Sequence, residues 1–469
     1  MDTQEVIARL RQAVDETKVR TNLEFLAERR HDYSVLSQLA DLKGRGCPNP
    51  ACVVTPSTTN DVAAVVKICR ETKTPLLTFG LGSGVVCGIM ATPHCVLLDM
   101  GAMKKIRMID TDNLMATFEA GVRGSDAEAA VARRGMTIGH FPQSMDVSSV
   151  GGWVATRSSG QFSSAYGSIE DMVMGIEAVL PDGEIYSTRL TPRASSGPDL
   201  KHLFLGSEGT LGVITAVTFS LYWRAPKQDY SAWRAPSMEK GFSFQRHVIQ
   251  SGWNPPVMRQ YDATEVKRLF PDQARDRDAF IILVHEGPTG RVEAELKECE
   301  EIASDLGIGR APSEPILKWL QDRNHVPGFE SFLQNNIILD TIEIAATWDR
   351  IEGIYHNAVS SLNLVPNMLN ASAHSSHCYR SGINLYFTFA ARVDDPGNME
   401  TVYDDCWKRV MEATLRGGGG ISHHHGIGRI RKKWLADELG PAGVGILRKI
   451  KNVLDPENIM NPEVLIPHE

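Results

Sequence analysis

Three consecutive histidines, His423, His424 and His425, stand between the glycine run Gly417–Gly420 and a second turn, Gly426-Ile427-Gly428. Imidazole titrates near neutrality, so such a cluster can move protons, ligate a metal ion or stand in solvent. If the three residues are extended, His423 and His425 point one way and His424 the other. Three consecutive side chains then fail to converge on one ion, and we expect no metal. A second group of chemical side chains sits on INLYFTFAAR, residues 383–392. Its alternation puts Ile383, Leu385, Phe387 and Phe389 on one face and Asn384, Tyr386 and Thr388 on the other. One face packs on helices. The other offers an amide, a phenol and a hydroxyl to a cavity. Just upstream, AHSSHCYRSG carries His374, His377 and Tyr379.

Three glycine-rich segments precede these groups. In ACVVTPSTTNDVAAVVKICRETKTPLLTFGLGSG, residues 51–84, an apolar run leads to a cap at Thr59 or Asn60. A helical pattern follows (Val62, Val65, Val66, Ile68, Cys69), then a strand at Leu76–Phe79. The strand empties into Gly80-Leu81-Gly82-Ser83-Gly84, whose backbone can turn its amides toward an anion such as a pyrophosphate. No Gly-Lys-Ser/Thr is present, which excludes a P-loop. Val85-Val86-Cys87-Gly88, Thr92-Pro93 and a strand at Cys95–Leu98 follow, where a Rossmann site needs a helix N-terminus. The second segment, Pro142–Val173, is crowded with Ser, Thr and Gly yet carries Val150, Trp153 and Val154, which suits contacts to a large flat cofactor. The third, Gly206–Thr215, runs into a strand through Leu221.

From Pro226 to Gly420 the pattern changes. Strand-like runs (Phe280–Val284, Ile337–Ile344, Ile383–Ala391) alternate with helical ones (Arg291–Leu306, Trp348–Leu362, Met399–Leu415), which reads as an α+β unit on one sheet. The 469 residues allow two domains, and 42% apolar and 23% charged residues are ordinary for a full core. A net charge of −8 argues against nucleic acid or an anionic membrane as partner. The first residues lack the apolar stretch of a signal peptide, no segment approaches a membrane span, and eight scattered cysteines lack zinc spacing. A cytoplasmic enzyme with reduced thiols, a small-molecule substrate and a homodimeric state is expected.

The three segments, in this order, resemble the vanillyl-alcohol-oxidase superfamily, with its bipartite FAD-binding domain of the p-cresol-methylhydroxylase type and an α+β cap. The resemblance covers the chain after about residue 45. It implies an N-terminal helical segment over 1–45, an FAD domain over 46–225, a cap over 226–420 and a C-terminal loop and return over 421–469, ending in LDPENIMNP. It implies FAD contacts at Thr78, Phe79, Gly80, Leu81, Gly82, Ser83 and Gly84. Further contacts are implied at Gln143, Ser144, Met145, Asp146, Val147, Ser148 and Ser149, and at Thr156, Arg157, Ser158 and Ser159. The third segment adds Glu208, Gly209, Thr210, Leu211, Gly212, Val213 and Ile214. Members that bind flavin covalently often use a histidine in the first glycine loop. This loop has none, and Cys87 reads as a buried thiol, so noncovalent FAD is expected.

The D-2-hydroxyacid dehydrogenase branch binds a divalent metal through a His-x-His strand and a Glu-His-Gly loop; the matching positions here are Asn384, Tyr386 and His424. SHHHGIGRIRKKWL, GVRGSDAE, PQSMDVSSVGGWVATRSSG, EIAATWDR and LYFTFA instead look like the alkyldihydroxyacetonephosphate-synthase branch. That branch implies Tyr386 as proton donor and acceptor, with His423, His424 and His425 as its catalytic partners beside the flavin. Asn384, His374 and His377 are then candidate substrate contacts. The branch also uses an arginine upstream of EIAATWDR; here PGFESFLQNNIILDTIEIAATWDR has none before Arg350, and Arg323 lies in unlike surroundings. Arg429, Arg431, Lys432 and Lys433 read as solvated or flavin-phosphate-facing cations. The reading that follows is FAD-dependent oxidation of a small hydroxylated compound. Its alternatives are a redox-neutral alkylglycerone-phosphate synthase and a non-catalytic flavoprotein subunit.

Overall fold

The computed structural model describes residues 2–467. Strands Cys52–Val54, Val96–Asp99 and Leu76–Phe79 form a parallel sheet, edged by the antiparallel Val19–Arg20. The N-terminal stretch therefore contributes a strand as well as helix Thr3–Val14. Helix Thr59–Thr72 buries Val62, Val65, Val66, Ile68 and Cys69, the stripe read from the sequence. Its cap is Thr58, ahead of both expected positions, Thr59 and Asn60. The Thr58 hydroxyl accepts from Asp61 N while the Asp61 carboxylate accepts from Thr58 N, closing a capping box.

Strands Ile106–Asp110, Met115–Glu119, Val213–Ser220, Val173–Val179 and Ile185–Ser187 form a second, antiparallel sheet in that order. Its centre, Val213–Ser220, is buried on both faces, hence its nearly unbroken apolar run. Helix Val150–Thr156, capped by Ser149, lies inside the second glycine-rich segment. A Cβ on Gly151 would sit 2.6 Å from the Ala120 Cβ, so the helix reaches this sheet only because the residue is glycine.

The cap is an eight-stranded antiparallel sheet. Its order is Gly309–Ala311, Lys227–Ala235, Ala279–Gly287, Val257–Tyr261, Met368–Ser375, Gly382–Arg392 and Ile337–Thr347, with Cys378–Tyr379 beside Gly382–Arg392. The three strands expected from sequence are present. Lys227–Ala235, Val257–Tyr261, Gly309–Ala311, Met368–Ser375 and Cys378–Tyr379 are additional. Helices Met238–Gln250, Thr289–Asp305, Ile351–Leu362 and Met399–Arg416 join a core that includes Ile383, Leu385, Phe387 and Phe389. After helix Leu435–Leu454 the chain returns to the first sheet, where Leu76 N donates to Ile459 O at 2.8 Å and Asn461 N to Leu76 O at 2.9 Å. No helix among the described residues is long and apolar enough to cross a membrane.

Candidate active site

A cavity of about 1440 Å³ runs from the glycine-rich segments to the polar face of strand Gly382–Arg392. Tyr386 projects into it. Its hydroxyl bonds His424 Nε2 and lies 3.3 Å from His425 Nε2. The His374 ring stacks on Tyr386, with centroids 4.9 Å apart and planes within 7°, and hydrogen-bonds Glu265 at 3.1 Å. His377 donates from Nε2 to the Gly160 carbonyl at 2.9 Å, which leaves Nδ1 to accept from Ser376 Oγ at 2.7 Å.

The histidine loop is bent, which corrects the alternation expected of an extended run. The cause is Glu343, from strand Ile337–Thr347. Its Oε1 accepts from His424 N at 3.1 Å, His425 N at 2.7 Å and Ser422 Oγ at 3.2 Å, curling the backbone around one oxygen. Its Oε2 pairs with Arg431, and both side chains are fully buried. Arg431 also donates to Gly426 O at 2.7 Å and lies over the Trp407 ring. It is therefore the clamp of the loop and not a solvated or phosphate-facing cation. The bend sends His424 and His425 to Tyr386 and turns His423 to the Tyr379 hydroxyl at 2.6 Å. Ring nitrogens of His377, His423 and His424 come within 4.8 Å of one another, so three histidines do gather, drawn from two segments.

Burial sets the charge state. It holds His423 and His424 well below the ordinary histidine value, with the neighbouring histidines adding to the effect, and pushes His425 down to about 4. Burial lowers His377 to about 3 and raises the Tyr386 phenol above its ordinary value. At neutral pH the site holds a protonated phenol against two neutral imidazoles. Asn384 is a correction. Its Oδ1 accepts from Ser376 N and His377 N, both at 2.9 Å, and its amide donates to Ser376 Oγ. That amide is consumed in fixing the turn that presents His377 and does not reach the cavity.

A model of the FAD binding domain matches residues 50–189, and one of the C-terminal domain of FAD linked oxidases matches residues 224–465. The chain belongs to the FAD-linked oxidases. It is 32% identical over 441 residues to the uncharacterized FAD-linked oxidoreductase YgcU of Escherichia coli, covering 90% of each. Identity is 28% over 452 residues with the alkyldihydroxyacetonephosphate synthase of Trypanosoma brucei brucei, covering 89% of this chain and 73% of that one. A solved alkyldihydroxyacetonephosphate synthase shares the fold with a TM-score of 0.81 at 24% identity, over 98% of this chain and 85% of that one. A p-cresol methylhydroxylase shares it at 0.76 and 18%, over 98% and 96%. This FAD-linked oxidase thus has the bipartite FAD domain and cap that the motifs implied.

The residues at the glycine-rich end fit FAD. Thr78 Oγ1 and Asn461 Oδ1 are buried, without a hydrogen-bond partner among the described residues, on residues that line the cavity. Buried polar atoms of this kind suit hydrogen bonds to a bound cofactor. Gly80 has no Cβ where one would meet Ser149 Oγ at 2.4 Å, which lets the first loop close on the cap of helix Val150–Thr156. Leu81, Gly82, Ser83, Gly84, Gln143, Ser144, Val147, Ser148, Ser149, Thr156, Ser158, Ser159, Glu208, Gly209, Gly212 and Ile214 line the same wall. Glu208 accepts from Ile427 N at 2.7 Å and Gly428 N at 2.8 Å, and burial raises it to about 7.

Seven implied cofactor contacts do not line the cavity. Phe79 packs with Leu26, Val53 and Leu97 beneath the loop, and Met145 is buried behind it. Asp146 faces solvent, and Arg157, in left-handed backbone at φ +55°, pairs with Glu170. The Thr210 hydroxyl closes its own turn on Ser207 O, while Leu211 and Val213 are buried, Val213 in the second sheet's core. The Cys87 thiol is buried between the Ser34 and Ser37 hydroxyls, as a structural thiol would be.

Sequence reasoning missed the positive side of the cavity. Arg259, Arg268 and Arg323 all line it. Arg259 bonds Tyr261 OH at 2.9 Å and lies over Trp319. Arg268 pairs with Glu265, and Arg323 donates to Gln161 at 2.9 Å between the Phe141 and Phe162 rings. The signal for Arg259 was period-two pairing with Tyr261, on a strand only five residues long. Arg323 lies in a stretch unlike the arginine segment of the branch the motifs resemble, yet the fold carries it to the cavity.

Proposed function

We propose that this FAD-linked oxidase dehydrogenates a small hydroxylated compound that carries an anionic group. The observation that carries the reading is the Tyr386 phenol held against two neutral imidazoles inside the cavity. Bound FAD supplies the hydride acceptor, flavin N5. The substrate hydroxyl hydrogen-bonds Tyr386. As its proton moves to the phenol oxygen, the proton of Tyr386 passes to Nε2 of His424 or His425. Tyr386 acts as a shuttle, because burial opposes a standing phenolate. The imidazolium formed at His425 meets the Glu343 carboxylate 3.8 Å from Nδ1. The anionic end is held by Arg259, Arg268 and Arg323, whose remaining N–H groups suit a carboxylate or phosphate. The test is anaerobic bleaching of the holoenzyme against hydroxy acids, polyols and sugar phosphates. Tyr386→Phe is expected to slow reduction by about a hundredfold or more; a wild-type rate sinks the role.

A second reading, synthase-type exchange of an acyl for an alkoxy group, draws support from the same three arginines and the likeness to alkyldihydroxyacetonephosphate synthases. Pure enzyme given acyl-dihydroxyacetone phosphate and a fatty alcohol discriminates. Ether formation detected by mass spectrometry, without net flavin reduction, promotes the synthase and refutes dehydrogenation.

A further inference from the structure

The proton chemistry above uses Tyr386, His424 and His425 and leaves His423 without a role. His423 does not line the cavity; Tyr386 and His424 do. Its Nε2 lies 2.6 Å from Tyr379 OH and its Nδ1 2.7 Å from the Nδ1 of His424. Two neutral imidazoles can approach nitrogen to nitrogen at that distance only with one proton between them. The tautomers are thereby locked in opposition. When His424 carries its proton on Nδ1, His423 carries its own on Nε2 and donates to Tyr379. When the shared proton belongs to His423, His424 carries its proton on Nε2 and donates to Tyr386. The contacts thus run unbroken from the Tyr386 hydroxyl through both rings to the Tyr379 hydroxyl. Tyr379 is only part-buried, and the Ser168 hydroxyl and the carboxylates of Glu170 and Asp171 are its neighbours. Asp171 is exposed.

We propose that Tyr386, His424, His423 and Tyr379 form a proton wire joining the flavin cavity to the protein exterior on the Tyr379 side. The proposal rests on the reading that Tyr386 exchanges a proton with substrate. A proton arriving on the Tyr386 oxygen displaces the phenol's own proton to His424 Nε2. The His424 Nδ1 proton crosses to His423 Nδ1, the His423 Nε2 proton moves to the Tyr379 oxygen, and the former Tyr379 proton leaves. One proton enters, one leaves, each group ends neutral, and no electron pair is transferred to or from substrate. The reverse sequence delivers a proton inward and restores the starting tautomers. Such a path serves a cavity in which cofactor and substrate displace the water that would otherwise carry the proton. Tyr379 and His423 act through Tyr386 and are positioning residues of the relay.

The test uses FAD-loaded enzyme with isotope-labelled histidine nitrogens and no substrate. The wire requires one ring proton scalar-coupled to the Nδ1 atoms of both His423 and His424, lost in His423→Gln. In Tyr386→Phe, which removes the relay hydroxyl at the cavity end, that proton exchanges with deuterium through Tyr379. Adding Tyr379→Phe should slow exchange at least tenfold, equal to about 1.4 kcal/mol of barrier. His423→Gln, also made in the Tyr386→Phe background, supplies a second break: the shared proton is gone, and the proton that His424 keeps on its own ring exchanges more slowly by the same factor. Retained flavin absorbance reports folding in each variant. Absence of the shared proton, as a cation held by His377, His423 and His424 would cause, overturns the wire; so does unchanged exchange in Tyr379→Phe. Failure of the Tyr386 reading registers separately, as wild-type flavin reduction in Tyr386→Phe.

Discussion

The histidine loop hangs on one buried ion pair, and breaking it makes a quantitative prediction. Glu343→Gln keeps an oxygen for the backbone N–H groups of His424 and His425 and removes the charge facing Arg431. Both members of the pair are fully buried. Stranding one buried charge costs about 3–5 kcal/mol. Gly426 O and the Trp407 face still serve Arg431, so we take the lower end, about 3 kcal/mol. With a melting entropy of about 2.1 cal/mol/K per residue over the C-terminal domain, residues 224–465, this lowers that domain's Tm by roughly 6 °C. Arg431→Met leaves a carboxylate that keeps its three donors and costs somewhat less. The double variant restores neutrality and should lie within about 1–2 kcal/mol of wild type, since a buried pair replaced as a whole is often close to neutral. Thermal unfolding of the four proteins, followed by circular dichroism and flavin fluorescence, reads the cycle. Single variants within about 1 °C of wild type, or strictly additive losses, refute the clamp.

Acid precipitation should release the flavin into a yellow supernatant, because no histidine occupies the first glycine loop and the Cys87 thiol is turned to Ser34 and Ser37; a yellow pellet contradicts noncovalent binding. Exhaustive chelation should leave turnover intact, and activity lost and then restored by zinc or manganese would make the three gathered histidines a metal centre. Burial lowers His425 from 6.5 to about 4, so its contribution to stability is full above pH 6.5 and is lost as pH falls toward 4. Urea unfolding of wild type and His425→Gln should therefore converge as pH drops through that window; parallel curves rule out a neutral buried imidazole. Glu208, raised from 4.5 to about 7, has the opposite sign, its stabilisation being present below pH 4.5 and lost as pH rises toward 7. Glu208→Gln should flatten that part of the profile, and an unchanged slope there would remove Glu208 as its source.

The sequence by itself determined what local periodicity and turn chemistry control. Helix Thr59–Thr72, strand Leu76–Phe79 and the loop Gly80–Gly84 follow from a cap, an apolar stripe and residues tolerant of positive φ. The alternation of Ile383–Arg392 presents Tyr386 for the same reason: side chains on a strand have period two. Tertiary structure decided what depends on a distant partner. Asn384 shares a face with Tyr386, yet the turn at Ser376 and His377 takes up its amide, because that turn needs an acceptor. His423, His424 and His425 part company because Glu343, some eighty residues earlier, holds two of their backbone N–H groups on one oxygen. Arg259 and Arg268 stand on a strand and the helix that follows it, Arg323 more than fifty residues later, and only sheet order and helix docking bring all three to the cavity holding Tyr386. A charge pattern assembled from separate strands and helices leaves no period in the chain, so the positive end of this site became legible only in the fold.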